Sequence, residues 1–214
     1  VLPIAGNGLL RAVAYDVALY RTNVTNEIVP YRGGRFYFTA GKARRTGAEL
    51  GVTLYAWERV RLQAAVTASR NTYVAYVVDS VHYGRPGQTA DYAGNRIVGV
   101  PDVLCSGSAA YTLRGPVPLT AKLGLQGMSS YFVDDANAVS VAGFTTASLT
   151  LGFEDPLALG AGCGLRGFVA VENLFDRRYV ASAFLNPDMV GGVPVAFEPG
   201  LPRRLVVSLS LGVR

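Results

Sequence analysis

Charge is scarce in this sequence: 16% of its 214 residues are Asp, Glu, Lys or Arg, against roughly 25% in ordinary soluble domains. Cysteine is scarcer still. Cys105 and Cys163 are too few for a disulfide framework and have no metal-ligand spacing, so they read as small apolar residues on strands. No stretch suits a membrane helix. The longest uncharged run, Ala136 to Phe153, carries Asn137, Ser140, Gly143, Thr145, Thr146, Ser148, Thr150 and Gly152 and is rich in β-branched residues. Lys and Arg outnumber Asp and Glu, for a net charge of +5, but the cations are scattered. The one tight group, Lys42, Arg44 and Arg45, has no aromatic residues interleaved with it, so nucleic acid is not expected as a partner.

What is abundant is glycine, with 25 residues, and tyrosine, with 12, in a chain that is half hydrophobic. The apolar residues recur with a period of two. Val13, Tyr15, Val17 and Leu19 alternate with Ala12, Ala14, Asp16 and Ala18; Ala48, Leu50, Val52 and Leu54 alternate with Gly47, Glu49, Gly51 and Thr53. The same pattern returns around residues 60–67, 108–113, 119–126, 145–154, 165–172 and 205–212. It predicts about eight strands, each with one apolar face and one polar or small-residue face.

The connections alternate in length. Short turns are expected at 57–59, 114–118 and 155–160, and long ones at about 32–40, 78–96, 133–141 and 176–202. Short turns on one side and long loops on the other is the pattern of an antiparallel meander through an outer membrane. Aromatics near the strand ends, among them Tyr31, Phe36, Tyr37, Phe38, Trp57, Tyr73, Tyr76, Tyr131, Phe132, Phe175 and Tyr179, suit girdles at the two interfaces. A soluble sandwich or lipocalin-like barrel also alternates, but with its apolar face inward. The small and polar second face and the one-sided loops favour the all-β, antiparallel transmembrane β-barrel. Asp16, Glu49, Arg61, Lys122, Arg166 and Glu172 would then face the interior. The segment Val1 to Gly8 is not a signal peptide, which an outer-membrane protein needs, so on this reading the chain is mature or partial.

One stretch is more specific. Asn173-Leu174-Phe175-Asp176-Arg177-Arg178-Tyr179 resembles the Asn-Leu-Phe-Asp-(Lys/Arg)-x-Tyr signature near the C-terminus of TonB-dependent outer-membrane receptors. Tyr20-Arg21-Thr22 through Glu27-Ile28-Val29, Ala40-Gly41-Lys42 through Gly47-Ala48-Glu49, Gly94-Asn95-Arg96 through Val100-Pro101, and Tyr131-Phe132-Val133-Asp134-Asp135-Ala136-Asn137 are similar, in order, to further segments of that family. Ala40 stands where the family often has Asn, and Val98 where it usually has Pro. The usual terminal aromatic is also replaced: Leu209, Leu211 and Val213 keep the strand phase, and Arg214 comes last.

The resemblance implies that residues 1–214 are the C-terminal part of a barrel of about 22 strands, without the family's plug domain. It also implies a function in the outer membrane of a Gram-negative bacterium: uptake of a ferric siderophore or similar metal chelate, energised through TonB by way of the missing N-terminal region. The partners are then outer-membrane lipid, the TonB complex and the chelate, with no cofactor. An anionic chelate suits Arg and Tyr in a loop, which makes His82, Tyr83, Arg85, Tyr92 and Arg96 the ligand-binding candidates, with Arg177 and Arg178 beside them; no motif fixes these contacts. Asn173, Leu174, Phe175, Asp176 and Tyr179 read as a structural signature, the interface anchor and loop start of the penultimate strand. Asp79, Ser80 and His82 fall within one loop without a rigid scaffold to align them, so no enzyme is expected. The alternative is a stand-alone eight-strand barrel with a structural or adhesive role.

Overall fold

A computed structural model describes residues 2–3, 9–79, 87, 89–113, 115, 117, 119–153, 156–160 and 162–213. Ser80, the loop candidates His82, Tyr83 and Arg85, and Arg214 lie outside the described residues. The architecture is all-β. Eight strands follow one another as an antiparallel meander: β1 (Leu10–Tyr31), β2 (Phe36–Ala56), β3 (Val60–Ala75), β4 (Val103–Thr112), β5 (Thr120–Met128), β6 (Phe144–Gly152), β7 (Cys163–Glu172) and β8 (Arg204–Val213). Every expected strand is present. The sheet does not close: β8 pairs with β7, the outer edge of β1 carries Leu2–Pro3, and β1 and β8 do not meet among the described residues.

Register puts the apolar residues of all eight strands on one face. Val17 lies opposite Leu50 and Leu50 opposite Val66; Leu123 lies between Ala109 and Leu149; Val169 lies between Leu151 and Val207. These side chains are exposed, Leu19 by 81% and Leu209 by 75%. A face of Leu and Val turned outward on every strand is the band a barrel offers to lipid. The other face carries Asp16, Glu49, Gln63, Ser108, Lys122, Thr150, Arg166 and Glu172 in the matching rows. It is concave, lining a trough of about 830 Å³ bounded by residues of all eight strands. The polar face therefore points inward, as the alternation requires.

Two expectations change. The long loop placed at about 32–40 is a tight turn, because β1 runs to Tyr31 and β2 begins at Phe36. Arg32, Gly33 and Gly34 take positive φ there, which lets the hairpin reverse in four residues. At about 3.3 Å per residue, the hairpin of β1, with 22 residues, and β2, with 21, extends well past the strands of nine or ten residues in β4 to β8. The turn placed at 155–160 is shorter, since Leu157–Gly160 pairs with the start of β7.

The buried core lies in the long-loop end instead of within the wall. One cluster joins Val29, Ala40, Ala43, Tyr73, Tyr76, Val78 and Ile97; a second joins Tyr131, Val133 and Val141. Tyr73, Tyr76 and Tyr131 are thus core residues, not members of an interface girdle, whereas Phe36, Tyr37, Trp57 and Phe175 are exposed. Burial of Tyr73 and Tyr76 is allowed because both hydroxyls donate to a carboxylate, that of Asp135.

Candidate functional site

Two features converge at the long-loop end: a polar network beneath the loops and the mouth of the trough. The network centres on Asp135, which is 1% exposed. Its Oδ1 accepts from the Tyr73 hydroxyl at 2.8 Å; its Oδ2 accepts from the Tyr76 hydroxyl at 2.9 Å and from Asn186 Nδ2 at 3.0 Å. Asn186 also donates to the carbonyl of Pro30 and accepts from the backbone N–H of Asp135, while Asn95 donates to the Asp135 carbonyl. One carboxylate thus joins β3, the loop after β3 and the loops after β5 and β7, and Asn186 carries the link on to the β1–β2 hairpin. Burial pushes its pKa above the ordinary carboxylate value, and the three donated bonds oppose that rise.

Beside it, Asn137 and Arg96 clasp each other. The Arg96 N–H donates to Asn137 Oδ1, and Asn137 Nδ2 donates to the Arg96 carbonyl. The Arg96 guanidinium forms an ion pair with Asp102, and burial, with Arg70 nearby, lowers its pKa. Tyr92 is half-buried, its ring 5.5 Å from that of Tyr76. Tyr92 and Arg96 are thus each held by loop-core residues, Tyr92 against Tyr76 and Arg96 by Asn137 and Asp102.

The signature stretch closes the other side of the mouth. Asn173 is buried with φ near +47°; its amide donates to the carbonyls of Arg177 and Leu201, and its Oδ1 accepts from the Arg177 N–H. Asp176 accepts from the Arg203 N–H, joining the two ends of the loop between β7 and β8. Leu174 donates its N–H to the Ala147 carbonyl, while Phe175 is 77% exposed, as an interface anchor would be. Tyr179 turns to the trough, 4.2 Å from the Phe144 ring, and fits over Gly200, where a Cβ would lie 2.2 Å from its ring. Asn173→Ala should cost about 1–3 kcal/mol for each backbone carbonyl left unpaired, and a lower urea midpoint of the refolded protein would report it.

The trough itself is lined by hydroxyl and amide groups, Gln63, Ser106, Ser108, Gln126, Thr146 and Ser148, with few charges. Among those charges, Glu172 pairs with Arg204 across β7 and β8. Among the described residues no three His, Cys, Asp or Glu side chains converge as a metal site. The geometry suits passage or packing of a polar surface.

Sequence reasoning did not find the Asp135 centre. Gly94 to Pro101 and Tyr131 to Asn137 carried Asn95, Arg96, Asp135 and Asn137 in the stretches that drew the resemblance, but nothing in them said that they clasp one another. Asn186 had no signal at all.

Comparison with known proteins agrees with this architecture. Residues 6–174 match the family described as TonB dependent receptor-like, beta-barrel. The ferrichrome outer membrane transporter/phage receptor of Escherichia coli strain K12 is 30% identical over 179 residues, covering 81% of this chain and 22% of that protein. The ferrioxamine B receptor of Salmonella typhimurium strain SL1344 is 26% identical over 170 residues, covering 78% and 22%. The ferric yersiniabactin uptake receptor FyuA from Yersinia pestis superposes with a TM-score of 0.66 at 18% identity, covering 94% of this chain and 28% of that one. The siderophore receptor PiuA from Acinetobacter baumannii gives 0.65 at 18%, covering 94% and 26%. At such identities the two structures speak for the fold alone. The chain spans about a fifth of the length of the curated relatives it matches.

Proposed function

This chain belongs to the TonB-dependent receptor β-barrel family of the Gram-negative outer membrane, and from that premise we propose that it supplies C-terminal wall strands and outer loops of a receptor that imports a ferric siderophore or similar metal chelate. The observation that carries the reading is the 30% identity to a ferrichrome transporter over four-fifths of the chain. The open sheet supports it, since eight strands that leave β1 and β8 apart call for further strands, and a stand-alone barrel is not favoured. Import draws its energy through TonB, and the rest of the barrel and a plug complete the receptor. Ligand capture falls to the loop bearing His82, Tyr83 and Arg85, while Tyr92 and Arg96 fix its return to the wall.

The test is uptake of iron-55 chelates by cells that lack their own receptors and express the full receptor containing this chain. Uptake of at least one hydroxamate or other anionic chelate is expected, and it should vanish in cells without TonB. Arg85→Ala should raise the half-saturating concentration roughly 10- to 150-fold, as loss of one charge-assisted contact of roughly 1.5–3 kcal/mol implies. Uptake that persists without TonB, or no uptake of any chelate, sinks the reading.

A further inference from the structure

The apolar band ends, on three adjacent strands, in a cluster of cations that face outward. Above Leu19 on β1 comes Arg21; above Ala48 on β2 come Thr46, Arg44 and Lys42; above Ala68 on β3 comes Arg70. Register makes these one patch: Arg21 lies opposite Thr46, and Thr46 opposite Arg70; Asn23, Arg44 and Thr72 form the next row, and Thr25 and Lys42 the next. With strands about 5 Å apart and about 7 Å between same-face neighbours along a strand, four long basic side chains can converge on one group. All four are exposed. None forms an ion pair among the described residues, and Arg44 donates only to Asn23 Oδ1, at 3.2 Å.

Nearby carboxylates are engaged elsewhere. Glu27 pairs inward with Arg45, and Asp102 pairs with Arg96. Across β4, β5 and β6 the register row of Val66 continues through Cys105, Gly127 and Thr145, none of them charged. The four cations stand together in one sector of the wall, on its lipid-facing side, at the end from which the long loops emerge. Like charges held together at the edge of a nonpolar medium are unfavourable unless an anion joins them. The interleaved Thr25, Thr46, Thr72 and Asn23 add hydrogen-bonding groups suited to phosphate and sugar hydroxyls.

We propose that Arg21, Lys42, Arg44 and Arg70 form a binding site for the phosphate groups of an outer-leaflet glycolipid whose acyl chains lie along Leu19, Leu50 and Val66. The site rests on the outer-membrane placement of the chain and not on which chelate is imported. It gives the β1–β3 sector a fixed lipid neighbour, and it holds the base of the long β1–β2 hairpin at the membrane surface.

The test uses the full receptor in nanodiscs, titrated with purified lipopolysaccharide and with the same material after phosphatase treatment. Intact glycolipid should bind the unaltered protein at least about tenfold tighter than the dephosphorylated form, since each cation near an anionic surface is worth roughly fivefold. Arg21→Gln with Arg70→Gln should weaken binding roughly 25-fold by the same reckoning. Arg32→Gln with Arg35→Gln, an equal change of charge at the hairpin tip, should leave it within about twofold. Equal binding of the two glycolipid forms overturns the site without recourse to any variant. Equal loss in the two double variants, or binding of phosphatidylglycerol as tight as that of the glycolipid, overturns it as well.

Discussion

Replacing Asp135 with Ala is expected to loosen the whole long-loop end of the protein. The substitution leaves the Tyr73 and Tyr76 hydroxyls and the Asn186 amide without their shared acceptor in a site with almost no solvent access. At about 1–3 kcal/mol for each stranded donor, and allowing for partial relaxation, the loss is roughly 4 kcal/mol. In the loop between β7 and β8, Asn186, which also donates to the Pro30 carbonyl of the β1–β2 hairpin, loses the carboxylate that fixes its amide, and the Gly33–Leu185 bond and the Arg35–Asp188 ion pair are left to hold the loop to the hairpin. Limited trypsin digestion should therefore cut at Arg177, Arg178 or Arg203 at least about tenfold faster, because opening of the block governs access. Unchanged cleavage and an unchanged unfolding midpoint would show that the network contributes nothing. The same carboxyl makes the block pH-dependent. Its folded pKa is raised, first by burial, above the ordinary 3.8, so the folded state holds its proton more tightly than the unfolded chain. The stabilisation is complete below pH 3.8 and is lost as pH rises through the raised folded value. Asp135→Asn should remove that slope in a melting series from acidic to neutral pH.

The wall was legible in the sequence because lipid and lumen impose opposite demands on alternate residues. Val17, Leu50 and Val66 on one face, with Ala18, Glu49 and Thr67 on the other, announce both the strand and its orientation before any partner is known. Even register follows once short turns fix each hairpin. The long hairpin was not legible past Asn23. There the alternation breaks at Asn26, whose positive φ turns the strand so that Glu27 and Val29 replace the even-numbered residues on the buried side. A composition of Gly, Arg and Tyr around residue 34 then reads as loop, although the chain needs only Arg32 to Arg35 to reverse. The loop core escaped for a different reason. Its contacts join residues 30, 73, 76, 95, 135 and 186, and such spacing has no period to detect. Motifs marked Asn95, Asp135 and Asn173 as notable without separating a group that fixes a loop from one that touches a ligand. Buried hydrogen bonds make that separation for Asn173 and Asp135, and the outward row of Arg21, Thr46 and Arg70 emerges only when three strands are laid side by side.

Leu209→Arg should impair membrane assembly far more than Ser210→Arg, although the two positions are adjacent and both lie on β8. Leu209 sits on the apolar face opposite Gly167, between Val207 and Leu211, and is 75% exposed. In a protein surrounded by water that exposure would make arginine harmless at this position. In a bilayer it places a guanidinium among acyl chains at a cost of about 2–4 kcal/mol near the midplane. Ser210 faces the trough opposite Arg166. Arginine there meets a like charge across the ladder, which costs under about 1 kcal/mol and is eased by water in the lumen. The difference corresponds to a ratio of roughly 10–100-fold in the folding equilibrium, readable as heat-modifiable barrel recovered after refolding of the full receptor into phospholipid vesicles. Gly167 offers no side chain against which an arginine at 209 would be crowded; the Leu209 side chain lies over it, and a Cβ built there would stand 3.1 Å from Leu209 Cδ1 and 3.0 Å from the Ser208 carbonyl oxygen. Leu209→Gln separates charge from shape, and should fall between leucine and arginine if lipid exposure is the cause. Equal recovery of the Leu209 and Ser210 arginine variants would mean that the apolar face does not meet lipid, and would overturn the orientation of every strand in the wall.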